Sequence, residues 1–364
     1  MSIASAIQNA QQKVANAYTA VNGKGGTLPA TQNLSNLPTA INSIQNGGGI
    51  GIAREVVNGV YQVPISSFTF SLPSTATDLG PNALSFAFNG CTGITGVDLS
   101  SLTTISSGNA MYYAFNNCTN LTGAINLSNL TTVNGNNAIG QAFENCTNLT
   151  SVDFSNLTTV NGNNAMGFAF HNCTGITGII DFSNITTLNG STPMQNIFNG
   201  CTGITGVDLS SLTVVTSTSS FASAFAGCIN LTSVDFSNLQ TIGINSSSGN
   251  YSQFSGCFTN CTSLTTLTFP NLEKIYCTSS ASSSGTFNNN NKVQKMYFPK
   301  LDTITYGTGA SSSNQNACKN IFYNCSSLTE LHFGAANQAA IEASPGYSTA
   351  WGRGAGNVTI YFDL

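Results

Sequence analysis

Apolar residues recur along the chain in one fixed frame. In the cleanest unit, Cys146 to Val160, they stand at Leu149, Val152, Phe154, Leu157 and Val160, with Ser, Thr, Asn and Asp between them. The same frame gives Ile94, Val97, Leu99, Leu102 and Ile105, and later Leu231, Val234, Phe236, Leu239 and Ile242. The Val-x-Phe step has the period of two that a strand shows. The three-residue steps around it suit tight turns of a coil whose apolar side chains all point inward. A Phe-x-x-Cys tetrapeptide opens each unit, with cysteines at 91, 118, 146, 173, 201, 228, 261 and 325. Asn290 occupies the slot between the last two, giving nine units. The first five steps are 27 or 28 residues, and the later ones stretch to 33, 29 and 35. A period of this length predicts stacked coils, each too small to bury its own apolar face.

Local departures from the frame predict local shape. Units at Gly123-Ala124 and Ile179-Ile180 carry one extra residue, read as a bulge or widened bend. Before each Cys, stretches such as Asn109 to Phe115 and Asn137 to Phe143 place an apolar residue and the Phe four apart, on one face of a helical turn. The Asn that opens each stretch suits an N-cap. Each coil thus reads as a strand, a turn, and a short helical or 3₁₀ return.

The stripe Ile94-x-x-Val97-x-Leu99-x-x-Leu102 resembles the L-x-x-L-x-L frame of leucine-rich repeats. The element Ala142-Phe143-Glu144-Asn145-Cys146-Thr147-Asn148-Leu149 is similar to the BspA-like subfamily of those repeats. The resemblance covers about residues 60–334. It departs from the usual unit in having longer coils and Ser-Asn-Leu where Ile-Pro-x-x-Val is common; the Pro returns only at Pro270 and Pro299. It implies an α/β solenoid with a parallel β-sheet, and surface adhesion or recognition without catalysis, in bacteria and in the phages that infect them.

Composition narrows the partners. Charged residues are 6% of the chain, against about 25% in ordinary soluble domains. No Lys or Arg lies between Arg54 and Lys274, an interval holding nine acids from Glu55 to Glu273. Phosphate neutralisation needs those cations, so neither nucleic acid nor an anionic membrane is an expected partner of the repeats. Eleven cysteines would suit a disulfide framework. Eight share one repeat position, which reads instead as a ladder of small buried thiols. No cofactor or metal site is expected: the closest ligand spacing is Cys257-x-x-x-Cys261, and the two histidines are His171 and His332. No phosphate loop, zinc-protease helix or nucleophile elbow can be read, so the chain is not expected to be an enzyme.

Two surfaces carry the candidate binding residues. The outward position between the inward strand residues is Asp98, Asn126, Asp153, Asp181, Asp208 and Asp235, then Thr268, Tyr297 and His332. Stacked at about 4.8 Å, the five carboxylates form a strip. It either reads a cation or sugar hydroxyls, or bonds neighbouring Ser, Thr and backbone groups. The second surface is the variable stretch before each Phe-x-x-Cys. There Tyr112, Tyr113 and Phe168 are either exposed stacking platforms or part of the core. The stretches Gly243–Ser255, Tyr276–Thr286 and Tyr306–Asn320 lengthen toward the C-terminus, and Tyr276 and Tyr306 join the candidates there.

Residues 1–46 read differently. Ile3, Ile7, Ala10, Val14, Ala17 and Val21 step like a heptad seam, followed by Leu34, Leu37, Ile41 and Ile44. Two short helices with one narrow stripe each favour self-association, as in a trimer. Met1–Ala20 lacks the basic start and apolar centre of a secretory signal. The expected organisation is a helical oligomerisation or docking module at 1–46, a Gly-rich linker at 47–58, the repeats at 59–333 and a cap at 334–364. The N-terminal segment is similar to the starts of structural proteins of gut phages. That likeness implies a virion fibre, docked on other virion proteins and displaying the repeats to a host-surface glycan or protein. A BspA-like adhesin on the bacterial cell surface is the alternative.

Overall fold

The computed structural model describes residues 55–57, 60–62, 68–244, 253–277, 285–306, 318–353 and 357–364. The seam at Ile3, Ile7, Val14, Val21, Leu34, Leu37 and Ile41 lies outside the described residues, as do most of the lengthened stretches. Glu55–Val57 pairs antiparallel with Val60–Gln62, so strand structure begins inside the segment read as a linker.

The repeats form a parallel solenoid of about nine coils, each with two strand-bearing sides and a return side of turns. The first ladder holds the Val-x-Phe strands, from Phe68–Ser71 and Ile94–Asp98 through Leu149–Asp153 and Gly203–Asp208 to Glu330–Phe333. Their inward residues are buried: Leu149, Phe154, Leu157 and Val160 are at most 1% exposed. Pairing slips at Gly123/Ala124 and Gly178/Ile179, where the extra residues were expected. The glycines there have φ of 80° and 83°, open only to residues without a Cβ penalty. The second ladder is a row of short strands, among them Thr104–Ile105, Thr132–Val133, Lys274–Cys277 and Thr303–Tyr306. Its inward residues close the far corner of the core.

The return side differs from the expected helical turns. Residues 109–118 are consecutive four-residue turns, with Asn109, Tyr113 and Asn117 at φ of 53°, 54° and 58°. Alternate amides stay within the coil, as in Tyr112 N–H to Asn109 O at 3.2 Å and Ala114 N–H to Met111 O at 2.9 Å. The others cross to the next coil: Met111 to Ala138 O at 2.7 Å, Tyr113 to Gly140 O at 3.1 Å, Phe115 to Ala142 O at 2.7 Å. A helix spends all its interior amides on itself; this spiral spends half on its neighbour and becomes a third ladder. The opening Asn of each stretch is not an N-cap. Asn109, Asn137 and Asn164 sit in the left-handed region that Asn tolerates best among residues with a side chain.

The Phe-x-x-Cys motif packs into this side. Phe88, Phe115, Phe143, Phe170, Phe198, Phe225 and Phe258 stack in one column with centroids 5.0–6.2 Å apart. Each thiol reaches back one coil: Cys118 Sγ donates to Phe88 O at 3.0 Å, Cys146 to Phe115 O at 3.1 Å, Cys173 to Phe143 O at 3.0 Å. All eleven cysteines are buried and outside any disulfide.

The column breaks at Phe258. Beyond it the stack runs through Phe221, Phe254, Phe287 and Phe322, so the coil of Asn290 is displaced by one four-residue turn. Phe225 N–H crosses to Cys257 O, but the displaced coil offers Phe258 no such carbonyl. The buried Asn290 amide mends the fault: its Oδ1 accepts Phe258 N–H at 2.7 Å, and its Nδ2 donates to Phe254 O at 3.1 Å and Phe287 O at 2.7 Å.

The cap continues the ladders. Phe322 N–H donates to Trp351 O at 3.0 Å, and Thr359–Phe362 pairs parallel with Glu330–Phe333. Trp351, fully buried, covers the last coil against Phe322, Phe333 and Tyr347.

Replacing Asn290 by the cysteine that the repeat favours should therefore destabilise the protein. A thiol cannot satisfy an amide N–H and two carbonyls at once, and each buried group left unpaired costs about 1–3 kcal/mol. Urea unfolding of Asn290→Cys should show a lower midpoint by about 2–4 kcal/mol of stability; a midpoint equal to wild type would refute the mending role.

Candidate functional site

The outward residues of the first ladder form one column, as the alternation required. Parallel pairing sets Asn126 against Asp153, Asp181 against Asp208 and Asp208 against Asp235, and further on Thr268 against Tyr297, Tyr297 against His332 and His332 against Tyr361. Each acid accepts the amide two residues on: Asp153 from Ser155 at 2.9 Å, Asp181 from Ser183 at 2.9 Å, Asp208 from Ser210 at 2.9 Å, Asp235 from Ser237 at 2.7 Å. Asn126 does the same for Ser128 at 3.0 Å. One carboxylate oxygen therefore closes the turn that leaves the strand, and the other faces outward. Asp98 uses both: Oδ1 takes the Ser100 hydroxyl at 2.7 Å and amide at 3.0 Å, and Oδ2 takes Ser71 Oγ at 3.3 Å. The Ser100 hydroxyl, then its amide, hold the Asp98 carboxyl below its ordinary range.

A shallow trough of about 440 Å³ interrupts this face between Asp208, Asp235 and Thr268. Its shape comes from two neighbouring residues. The extra residue at Gly178 turns Ile179 outward, leaving it 69% exposed as one lip. Gly206 beside it has no side chain, and Ser233, Phe236 and Pro270 complete the walls. The trough thus combines an exposed aliphatic group with carboxylate and hydroxyl oxygens.

At the C-terminal end the column becomes aromatic. His332 lies between Tyr297 and Tyr361, with centroids 4.4 and 4.6 Å apart and rings nearly parallel. Its Nδ1 is 3.0 Å from Asp363 Oδ1, and its Nε2 is 3.1 Å from Glu330 Oε2. Ionised carboxylates only accept, so both contacts are satisfied together when both ring nitrogens carry hydrogen. Glu330 also meets Lys295 Nζ at 2.9 Å, which, ahead of His332, holds its carboxyl below the ordinary range; the same contact raises the Lys295 ammonium. This cluster pins the last strand.

The other candidates lie elsewhere. Tyr112 and Tyr113 are half-buried on the return side, where Tyr113 stacks on the exposed Phe86 at 5.0 Å and Tyr112 meets both edge-on. Phe168 occupies the same turn position two coils on and meets His171 edge-on at 5.6 Å. His171 Nδ1 in turn contacts Glu144 Oε1 at 2.9 Å. Tyr276 and Tyr306 are half-buried on the second ladder, out of register with each other, since Tyr276 pairs with Thr305. The structure therefore joins the acids into one surface and leaves the aromatics on two others. Sequence reasoning missed Ile179, Gly206 and Tyr361. The outward column already pointed to Tyr361, and the inserted residue pointed to Ile179. Among the described residues, no cluster of three or more His, Cys, Asp or Glu is placed to hold a metal, and no helix is long and apolar enough to cross a membrane.

A parallel solenoid with this frame is the architecture of a leucine-rich repeat protein. The BspA type leucine rich repeat region matches residues 61–192, 123–252, 166–277 and 194–344, and the chain belongs to that family. No curated protein matches it. Among solved structures it is similar to a leucine-rich repeat protein from Bacteroides ovatus, at 18% identity over 79% of this chain and 67% of that one, with a TM-score of 0.42. A leucine rich cell surface protein from Faecalibacterium prausnitzii is 16% identical over 80% of this chain and 89% of its own, with a TM-score of 0.27. The pneumococcal vaccine antigen PcpA is 14% identical over 74% and 78%, with a TM-score of 0.26.

Two expectations follow from the geometry. In Ser100→Ala, the Asp98 titration midpoint read by NMR should rise toward the ordinary carboxylate value. Because the folded value is depressed, Asp98 stabilises the fold above its unfolded pKa and loses that contribution as pH falls through the lowered one. Solvent screening keeps the effect on melting small. In His332→Ala, amide exchange across Thr359–Phe362 should quicken several-fold, from about 1 kcal/mol of lost ring stacking; unchanged exchange would mean the ring does not hold the strand.

Proposed function

We propose that the chain is a non-enzymatic recognition protein of the bacterial surface, whose outward first-ladder face reads a glycan. The trough between Ile179 and Pro270 carries this reading. A sugar ring has an apolar C–H face and a hydroxyl rim. Ile179 offers the first a contact, and the free oxygens of Asp208 and Asp235 with Ser233 and Thr268 accept from or donate to the second. Pockets for small ligands combine an apolar surface with a few placed polar groups in this way. The stacked coils supply rigidity, so little ordering cost falls on binding.

The test is binding of residues 52–364 to a panel of bacterial and mucosal glycans and to whole bacteria. Ser233→Phe fills the trough from an exposed position of its wall. It should weaken binding at least tenfold and leave the melting temperature within a few degrees. Equal binding by the variant would remove the trough from the reading, and polysaccharide cleavage by the purified protein would replace the reading with an enzyme.

A phage virion fibre is the second reading, favoured by the heptad-like steps of residues 1–46. On that reading the intact chain assembles, as a trimer for example, and a chain beginning near Gly51 is a monomer by mass measurement. Two monomers would end it.

A further inference from the structure

Each coil puts the same turn position in the same place, so the interior is built of columns. One column is fixed by amides that cross between coils on the return side. Met111 N–H meets Ala138 O at 2.7 Å, Ile139 meets Ala165 O at 2.9 Å and Met194 meets Ser220 O at 3.1 Å. Phe221 then meets Gln253 O at 2.8 Å, Phe254 meets Thr286 O at 2.9 Å and Phe287 meets Ile321 O at 2.9 Å. Ala therefore holds this buried place in early coils and Ile321 holds it at the end. Between them the column is polar for three coils, at Ser220, Gln253 and Thr286.

Ser220 is settled within its own coil, where its hydroxyl donates to Ser217 O at 3.2 Å and meets Ser217 Oγ at 2.8 Å. The other two are not. Gln253 is 0% exposed and Thr286 1%. Neither Nε2 nor Oε1 of Gln253, nor Oγ1 of Thr286, has a hydrogen-bond partner among the described residues. Their two coils lie close: the rings that follow them in the chain, Phe254 and Phe287, stack with centroids 5.5 Å apart. An amide and a hydroxyl that start one coil apart, yet do not bond directly, suit a water between them. Buried waters occur at such otherwise unsatisfied groups, which are costly to leave unpaired.

We propose that Gln253 and Thr286 form a buried water site that bridges these two coils. Both side chains are neutral, so neither compensates the burial of an ion. Water matches them, since it accepts from the amide nitrogen and donates to the amide or hydroxyl oxygen. The same two coils are the pair that Asn290 mends, through Phe258 N–H and the carbonyls of Phe254 and Phe287. The side-chain amide closes one end of that junction, and the water closes the end where the crossing amides begin. This inference does not depend on the glycan reading.

The test is a crystal structure of the full chain at a resolution that shows ordered water, together with melting of two variants. A water should lie about 2.7–3.2 Å from the Gln253 amide and from Thr286 Oγ1. Thr286→Val keeps the shape and removes the hydroxyl. It should lose the water and melt a few degrees lower, whereas removing a dry, unpaired hydroxyl would raise the melting temperature. Thr286→Ser keeps the hydroxyl and should keep the water. Another side chain bonded to Gln253 and Thr286 in place of water would overturn the proposal. So would the absence of water there, or a Thr286→Val chain that melts at or above wild type.

Discussion

Everything in this molecule depends on hydrogen bonding between one coil and the next. Two sides of the coil achieve it as parallel strands. The return side achieves it with a run of turns in which a left-handed residue every fourth position aims alternate amides along the solenoid axis. Without that third ladder the return would be a helix, closed on itself, and successive coils would meet there only through side chains. With it, displacing one coil would break bonds on all sides at once, which is why a single displaced coil requires a residue as particular as Asn290.

The same constraint explains the composition. A left-handed backbone every fourth residue favours Asn and Gly, and Asn then gains a second use. Asn137 Nδ2 donates to Asn109 Oδ1 at 3.2 Å, and Asn164 to Asn137 at 3.0 Å. A parallel row runs from Asn172 through Asn145 to Asn117 at 3.1 Å per step. Charges fit such stacking badly, because a repeated charge meets its own kind one coil away. The five acids are tolerated because each closes a turn with one oxygen, and Asn126 relieves the row. Where cations return, Lys295 is paired with Glu330.

The inward frame was legible in the sequence, since burial imposes a strict pattern: Leu149, Val152, Phe154, Leu157 and Val160 all lie inside. The outward acid column followed from the same alternation. The return side was misread because apolar residues four apart fit both a helix and a spiral of four-residue turns. The deciding signal was the Asn or Gly recurring eight residues apart, at 109 and 117, at 137 and 145, at 82 and 90, with left-handed Tyr113, Gln141 and Phe86 midway. The trough was not legible, because it arises from two strands: an insertion in one turns Ile179 out, and a glycine in the next leaves room beside it. The aromatic candidates scattered for a related reason. Their spacing placed them on the coil, but only the stacking register decides which rings meet.

Asn290 also divides the surface. Before the displaced coil, the outward column holds Asp153, Asp181, Asp208 and Asp235, each with one oxygen free; after it, the column is Tyr297, His332 and Tyr361, stacked ring on ring with both His332 nitrogens paired. The His332 ring, covered on both faces by Tyr297 and Tyr361, has only an edge to offer a ligand. The acids and the trough keep unspent hydrogen-bonding groups, and the C-terminal cluster spends its own on closing the solenoid. On the proposed reading, recognition therefore belongs to the middle coils and the end of the column is a lock.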